Sequence, residues 1–483
     1  MFRLNGIVLD AKGTVGNFLA TLIVAVFSFS PLLSLAQPNI IIILTDDMAL
    51  ADLPYMPTVQ AELVSKGMEF QNAFVSHSTC CPSRASIMTG MYPHNHGVVR
   101  NGDGFAVFSS NGDESKTTAK TLQDNGYRTV LIGKYFNDYG LVNNTYIPQG
   151  WNEWYSALPN LGYYDYNLNV NGVVVKYGST ESDYQTDVHA GMAVDAINRL
   201  QTDTRPLFMY LSLKAPHEPA TAAARHNTAY SMLTAPRKAN FNETDVSDKP
   251  VWIRELATIS GKGISTIDDD YRKRLRTLLG ADEAVGSVLN ALAAQGQLEN
   301  TYILFMSDHG WHQGEHRLRS GKGTAYEESL RIPFVIRGPD VLQGAKNSNF
   351  VITNDIMPTL LEVAGVRIPT YIDGRSIMAL MTGAGSGANW RQQFLVEAAF
   401  SPVNEISAVE PPHYYAVRTT KYTYVYYIDT GETELYDNVA DPSQVSSLHA
   451  SQPGLVVSLS SMMDQLRFCA GPTCKDAENM RIK

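Results

Sequence analysis

The 483-residue chain has only four cysteines, and only 18% of it is charged. So few thiols exclude a disulfide-dense scaffold. There is no basic run and no interleaving of basic with aromatic residues. The 38 Lys and Arg against 48 Asp and Glu leave a net charge of −10. That excludes nucleic acid as a partner. The positive counterpart of an anionic ligand must then be a few residues in a pocket, not a whole face. Past residue 36 no apolar run is long enough to cross a membrane, and no repeat or low-complexity tract interrupts the chain. What remains is ordinary globular composition, 44% hydrophobic, on a chain long enough to bury a large core.

The N-terminus stands apart. Arg3 and Lys12 precede an apolar run over residues 18–36, with Pro31 inside it and the small residues Ser34 and Ala36 before Gln37. This pattern predicts a secretory signal peptide over 1–36, removed before Gln37; the alternative is an uncleaved anchor. Cleavage would leave no integral membrane segment, and the expected destination is the exterior or the lysosome. Asn143 ("NNT") and Asn242 ("NET") are N-glycosylation sequons that agree with that route. Cys469 and Cys474 ("CAGPTC") either close a short disulfide loop, worth roughly 2 kcal/mol, or stay a thiol pair.

Apolar, β-branched runs alternate with helical patterns. "NIIIIL" (39–44), "RTVLIG" (128–133), "PLFMYLSL" (206–213), "TYILFM" (301–306) and "IPFVIRG" (332–338) read as strands buried on both faces. Between them "TVQAELVSKG" and "TAKTLQDNG" read as short helices ending at Gly67 and Gly126. Longer helices are expected over 183–200 and 268–296, and another in "DIMPTLLEVAG". The alternation predicts an α/β fold with a largely parallel central sheet flanked by helices. After a flexible stretch at 382–389, the aromatic run "HYYAVRTTKYTYVYYIDTGETELYD" predicts a small antiparallel sheet, followed by a helix. The expected organisation is 1–36 leader, 37–385 catalytic domain and 386–483 C-terminal subdomain. Residues 394–400 could belong to either sheet.

Ligand sites in open α/β sheets lie beyond the carboxyl ends of the strands. After the predicted strands come Thr45, Asp46 and Asp47; Lys134; Lys214 and His217; Ser307, Asp308 and His309. Carboxylates from two such turns repel one another unless a cation lies between them. Asp46, Asp47 and Asp308 therefore suggest a hard divalent ion, Ca²⁺ first and Mg²⁺ second, with His309 adding a nitrogen. In "HSTCCPSRASIMTG" Pro82 fits a first helical turn. That places Cys80 at a helix N-terminus, where free N–H groups favour an oxyanion, with Arg84 one turn further in. A helix end, Arg84, Lys134 and a divalent metal would bind a tetrahedral anion, sulfate or phosphate.

These residues resemble the type I sulfatases of the alkaline phosphatase superfamily. "CCPSR" fits their Cys-x-Pro-Ser-Arg signature. "PNIIIILTDD", "GYRTVLIGKYFNDYG", "APHEP", "TYILFMSDHGWHQGEH" and "GKGTAYEESLRIPFVIRGP" extend the likeness over most of the chain beyond residue 36. "GKYFNDYG", "GWNEWYSALPNLGYYDYNLNVNG" and "CAGPTC" resemble the N-acetylglucosamine-6-sulfatase branch, with features some arylsulfatases share. The resemblance implies an alkaline-phosphatase-like fold and a sulfuric ester hydrolase acting on sulfated sugars, 6-O-sulfated N-acetylglucosamine first, or else on aryl sulfates. It implies that a formylglycine-generating enzyme oxidises Cys80 to formylglycine, with Cys81 at the variable position. Asp46, Asp47, Asp308, His309 and residue 80 would then hold the metal. Arg84 would steady the hydrated aldehyde and Lys134 would contact it and the sulfate. His217 and Lys322 would bind sulfate and protonate the leaving oxygen. Lys322 stands four before Tyr326, the family's spacing. Two departures stand out: His309 occupies a position where many members have Asn, and Phe136 occupies one where many have a basic His. His94, His96 and His312 are the candidates to fill that gap or to bind substrate. A phosphodiesterase or phosphonate hydrolase of the same superfamily and a non-catalytic sulfated-glycan binder are the competing readings.

Overall fold

The computed structural model describes residues 37–159, 162–385, 390–398 and 411–481. The predicted signal peptide and residues 386–389 of the flexible stretch lie outside the described residues. The strands, in chain order, are β1 (Asn39–Asp46), β2 (Met68–Phe70), β3 (Ala73–Phe74), β4 (Arg128–Gly133), β5 (Glu153–Ala157), β6 (Asn167–Val170), β7 (Val173–Lys176) and β8 (Leu207–Pro216). They continue with β9 (Thr301–Ser307), β10 (Phe334–Arg337), β11 (Ala345–Asn347), β12 (Val351–Ile352), β13 (Gln393–Ala398), β14 (Tyr414–Thr419), β15 (Tyr422–Tyr427) and β16 (Thr433–Asp437).

Ten strands form one sheet in the order β11-β2-β10-β9-β1-β8-β4-β5-β6-β7. Its centre, β9-β1-β8-β4-β5, is parallel throughout. β10 runs antiparallel to both of its neighbours, so the apolar run at 332–338 is a reversed strand. The unbroken apolar character of β1 follows from its place. Ile40, Ile42 and Leu44 face one core layer, with Phe208, Tyr210 and Leu304. Ile41 and Ile43 face the other, with Met209, Leu211, Phe305 and the buried stripe of helix Gly261–Ala294. Each isoleucine so buried contributes roughly 1.5–3 kcal/mol.

Helix Gln185–Asn198 matches its prediction. The long helix begins earlier than expected, at Gly261, because the Ser260 side chain caps it by accepting from the Gly263 N–H. The helix near residue 60 is short, Val59–Val64, and bonded i to i+5. Gly67 is demanded by a close approach and not by a helix cap. A Cβ there would lie 2.2 Å from the Ile336 carbonyl oxygen.

The second sheet is antiparallel, β13-β14-β15-β16, and so claims residues 393–398. Helices Pro453–Leu466 and Pro472–Glu478 follow it. Phe394, Tyr414, Val417, Leu435 and Leu459 belong to the same continuous apolar cluster as β1. Among the described residues no helix is long and apolar enough to cross a membrane.

Candidate active site

The parallel order β9-β1-β8-β4 brings four strand ends to one edge. β1 delivers Asp46 and Asp47, β9 delivers Asp308 and His309, β4 delivers Lys134, and β8 delivers Lys214 and His217. Asp47 takes a left-handed backbone, φ 70°. Asp308 Oδ1 accepts its N–H at 3.1 Å and the Arg274 guanidinium donates to its carbonyl. These contacts hold a conformation that disfavours a non-glycine residue. Gly133, φ 99°, ends β4 where a Cβ would strike the Ser212 carbonyl oxygen at 1.9 Å. Only glycine lets Lys134 turn into the site there.

Cys80 opens helix Cys80–Thr89, and its Sγ is the centre of the cluster. It lies 3.1 Å from Lys322 Nζ, 3.4 Å from Lys134 Nζ, 3.4 Å from His309 Nε2 and 3.6 Å from Asp46 Oδ1. Lys134 Nζ is 2.7 Å from Asp46 Oδ2, and Lys322 Nζ is 2.7 Å from Asp47 Oδ1. His309 Nε2 is 3.2 Å from Asp47 Oδ1. Arg84 donates through Nε to Asp308 Oδ2 at 2.9 Å and through Nη1 to Ser212 Oγ at 2.7 Å. His217 Nε2 sits at the rim, 3.7 Å from Asp47 Oδ2. The structure thus brings together Asp46, Asp47, Cys80, Arg84, Lys134, His217, Asp308, His309 and Lys322.

Burial works against every charge here; opposite charges outweigh it at Asp46 and Asp47, while at Asp308, Cys80 and His217 burial prevails. Burial would raise the Asp46 carboxyl, but Lys134, His217, Arg84 and Lys322 hold it well below the usual range. Asp47 is lowered against the same burial by Lys322, His217 and His309. Burial pushes the Cys80 thiol well up in spite of Lys134 and Lys322, so an unmodified Cys80 is a thiol and not a thiolate. His217 is pulled down by burial to about 4 and is neutral at pH 7. Asp46, Cys80, Asp308 and His309 each offer a ligand atom within 4.8 Å of the others, as do Asp46, Asp47, Cys80 and His217.

The helix end contributes less than the sequence suggests. Asn101 Oδ1 takes the Cys81 N–H at 2.8 Å, Pro82 has none, and the Ser83 N–H bonds Thr79. Side-chain cations, not free helix amides, are the positive groups of this site. Cys81 is a packed thiol whose Sγ accepts the Asn137 N–H at 3.3 Å.

Three histidines stand elsewhere. His94 bridges Glu397 at 2.8 Å and the Cys469 carbonyl at 2.9 Å, tying its turn to the C-terminal subdomain. His96 Nε2 pairs with Ser86 Oγ, and its Nδ1 accepts the Val98 N–H. His312 is buried against Thr324 Oγ1 at 2.7 Å. None of the three is among the contacts of Cys80, and the side chains of His96 and His312 are wholly buried. Phe136 is buried in an aromatic cluster with Phe105, Phe108 and Tyr135. Cys469 and Cys474 are disulfide-bonded. Asn143 is exposed. The half-buried Asn242 spends both ends of its amide on Ile259. Lys214 lines a cleft of about 230 Å³ with Asp46, Lys134, Asn137 and His217. Its place directly after the β8 apolar run was visible in the sequence, but nothing there assigned it a role.

The sheet and its edge of strand-end carboxylates, cations and one buried Cys80 define a hydrolase built to receive an anion. The chain belongs to the sulfatase family: the family described as Sulfatase matches residues 38–366. One described as N-sulphoglucosamine sulphohydrolase, C-terminal, matches residues 314–467. An N-acetylglucosamine-6-sulfatase of Homo sapiens is 33% identical over 477 residues, covering 91% of this chain and 86% of the relative. An arylsulfatase of Volvox carteri is 31% identical over 496 residues, covering 91% and 76%. A protein solved in complex with its substrate D-glucosamine-2-N,6-O-disulfate is 25% identical. It superimposes with a TM-score of 0.76, covering 92% of this chain and 99% of that one. The protein is therefore a sulfatase, hydrolysing sulfate esters.

Proposed function

We propose that the protein removes 6-O-sulfate from N-acetylglucosamine-type sugars of sulfated glycans, with formylglycine at residue 80 and one divalent cation. The observation that carries this reading is the convergence of Lys322, Lys134, His309 and Asp46 within 3.6 Å of Cys80 Sγ. The 33% identity to an N-acetylglucosamine-6-sulfatase supports the choice of sugar. An arylsulfatase is the second reading, favoured by the relative of that name.

The site's donors fit a cation. Three carboxylates crowd one space, and the buried Asp47 Oδ2 has no hydrogen-bond partner. Asp46, Asp47, Asp308 and His309 would hold it, Ca²⁺ before Mg²⁺ by their hard oxygens. When bound, such an ion polarises a sulfate oxygen and favours deprotonation of a neighbouring hydroxyl. A formylglycine at residue 80 would supply the oxygen nucleophile for sulfur, with the sugar oxygen as leaving group, and a means of releasing the sulfate afterwards. Cys80 is wholly buried, so its oxidation by a separate enzyme has to precede the folding of this segment.

The chain's own residues do the rest. Arg84 holds Asp308 and the Ser212 hydroxyl, fixing the floor of the site. Lys134 and Lys322 flank residue 80 and would take up the negative charge that develops on sulfate oxygens. Lys322 is the proton donor to the leaving oxygen. His217, neutral and directed by Nδ1 to the Glu218 carbonyl at 2.6 Å, hydrogen-bonds on the same side. His94, His96 and His312 are not among the contacts of Cys80, so none of them replaces the base that the Phe136 position lacks. The secretory route follows from the residues before Gln37, and Asn143 is the exposed sequon for a glycan.

The test is mass spectrometry of tryptic peptide 67–84 from protein made in a host that forms formylglycine, followed by turnover. An aldehyde at Cys80 with faster release of sulfate from N-acetylglucosamine-6-sulfate than from an aryl sulfate is the expected result. Faster aryl sulfate turnover would move the assignment to arylsulfatase. Unmodified thiols together with phosphodiester cleavage would overturn the formylglycine reading.

A further inference from the structure

The three inner cations of the site are each committed to a carboxylate: Lys134 to Asp46, Lys322 to Asp47 and Arg84 to Asp308. Lys214 is different. Its Nζ donates to the Glu218 carbonyl at 3.2 Å and stands 5.1 Å from the centre of the Tyr163 ring. Among the described residues no carboxylate oxygen lies within 4.0 Å of it. The residue is only 4% exposed, yet it lines the cleft that also holds Asp46, Lys134 and His217. Asp46 and Asp47 attract this ammonium from beyond contact distance, and Lys134 and Lys322 oppose them. A buried ammonium whose direct partners are neutral is unfavourable unless an anion completes its surroundings.

Local structure holds Lys214 where a ligand would meet it. The His217 N–H donates to the Lys214 carbonyl at 2.8 Å, closing a turn at the end of β8. The Glu218 carbonyl then accepts from both Lys214 Nζ and His217 Nδ1. One backbone oxygen thereby fixes the two side chains beside each other at the cleft. Tyr163 is buried and hydrogen-bonds the His217 carbonyl at 3.1 Å, which braces the same turn. Burial also pulls the Lys214 ammonium down to about 8, a loss that a bound anion would reverse.

We propose that Lys214 is a further ligand-binding residue of this site, its ammonium contacting an anionic oxygen of the substrate. That oxygen belongs either to the scissile sulfate or to a second anionic substituent on the same sugar. The proposal rests on the sulfatase reading, so its test is separated from turnover. Titration calorimetry compares the Cys80→Ala protein with Cys80→Ala/Lys214→Ala and Cys80→Ala/Lys214→Arg. The probes are inorganic sulfate, glucosamine 6-sulfate and glucosamine N,6-disulfate. Loss of a charged hydrogen bond is expected to weaken binding roughly tenfold in Lys214→Ala, with Lys214→Arg recovering most of it. Weakening of all three probes identifies the scissile sulfate as the partner. Weakening of the disulfate alone identifies the second substituent. Equal affinities with and without Lys214, or no binding of any probe, overturn the proposal. Failure of the functional reading is seen elsewhere: the formylglycine-bearing protein would turn over no sulfate ester while these affinities persist.

Discussion

Cys80 and Cys81 are neighbours in the chain and both wholly buried, yet their surroundings differ completely. Cys80 meets two lysines, a histidine and a carboxylate, whereas Cys81 meets backbone from Asn101 and Asn137. Cys80→Ser is expected to lower kcat by roughly a thousandfold or more, because on the proposed reading residue 80 carries the reacting group. Cys81→Ala is expected to leave kcat within about twofold and to lower stability by roughly 1–2 kcal/mol, from a lost contact and a small cavity. Steady-state kinetics and denaturant unfolding check both. His94 makes a pH prediction. Burial would lower it, but Glu397, with the Cys469 carbonyl, raises it to about 9, above the 6.5 of an unfolded histidine. Its contribution is therefore complete below about pH 6.5 and lost as pH rises through about 9. Unfolding of His94→Gln across pH 6–10 should show a shallower decline than that of the unaltered protein. An identical slope in both would rule this out. The Cys-x-Pro-Ser-Arg and Asp-Asp motifs were legible because their chemistry is local. The structural duties of His94, His96 and His312 were not, because their partners lie up to hundreds of residues away or inside turns that the sequence does not reveal.

At the scale of elements, the segment carrying Lys322 is clamped from two sides. The Gly323 N–H donates to the Ser78 carbonyl at 3.0 Å, and Ser78 Oγ donates to the Thr324 carbonyl at 2.9 Å, two residues ahead of Cys80. From the second sheet, Tyr414 donates to the Gly323 carbonyl at 3.2 Å, and Glu434 accepts from Tyr326 at 2.8 Å. Glu434 also accepts from Tyr427 and Tyr436, so the anchor is itself fully bonded. The second sheet thus positions a lysine of the site although it contributes no contact to Cys80. Tyr414→Phe is expected to lower kcat a few-fold, in line with the roughly 0.5–1.5 kcal/mol of one such bond, with KM little changed. A variant that lost stability but kept kcat would show the contact to be structural only. The aromatic, β-branched composition of β14 and β15 announced a sheet. It did not announce which loop that sheet would grip.

At the scale of the whole molecule, a chain of net charge −10 holds a site whose carboxylates and cations are matched one to one. Asp46, Asp47 and Asp308 are balanced by Arg84, Lys134 and Lys322, and a divalent ion would leave the site positive for a sulfate ester. Calcium should therefore raise Tm, by about 2.7 kcal/mol of stabilisation at a hundred times its Kd, and chelation should reverse it. A thermal scan insensitive to both would count against the cation. The chain by itself determined the alternation of strands and helices, the buried centre of the sheet and the turn residues after each strand, because apolar periodicity and short motifs are properties of neighbouring residues. Only the tertiary structure decided the reversed β10, the assignment of residues 393–398 to the second sheet, the filling of the helix end by Asn101 and the commitment of three cations but not Lys214. Those depend on which distant surfaces pack together, and a chain's local pattern leaves that choice to the whole core.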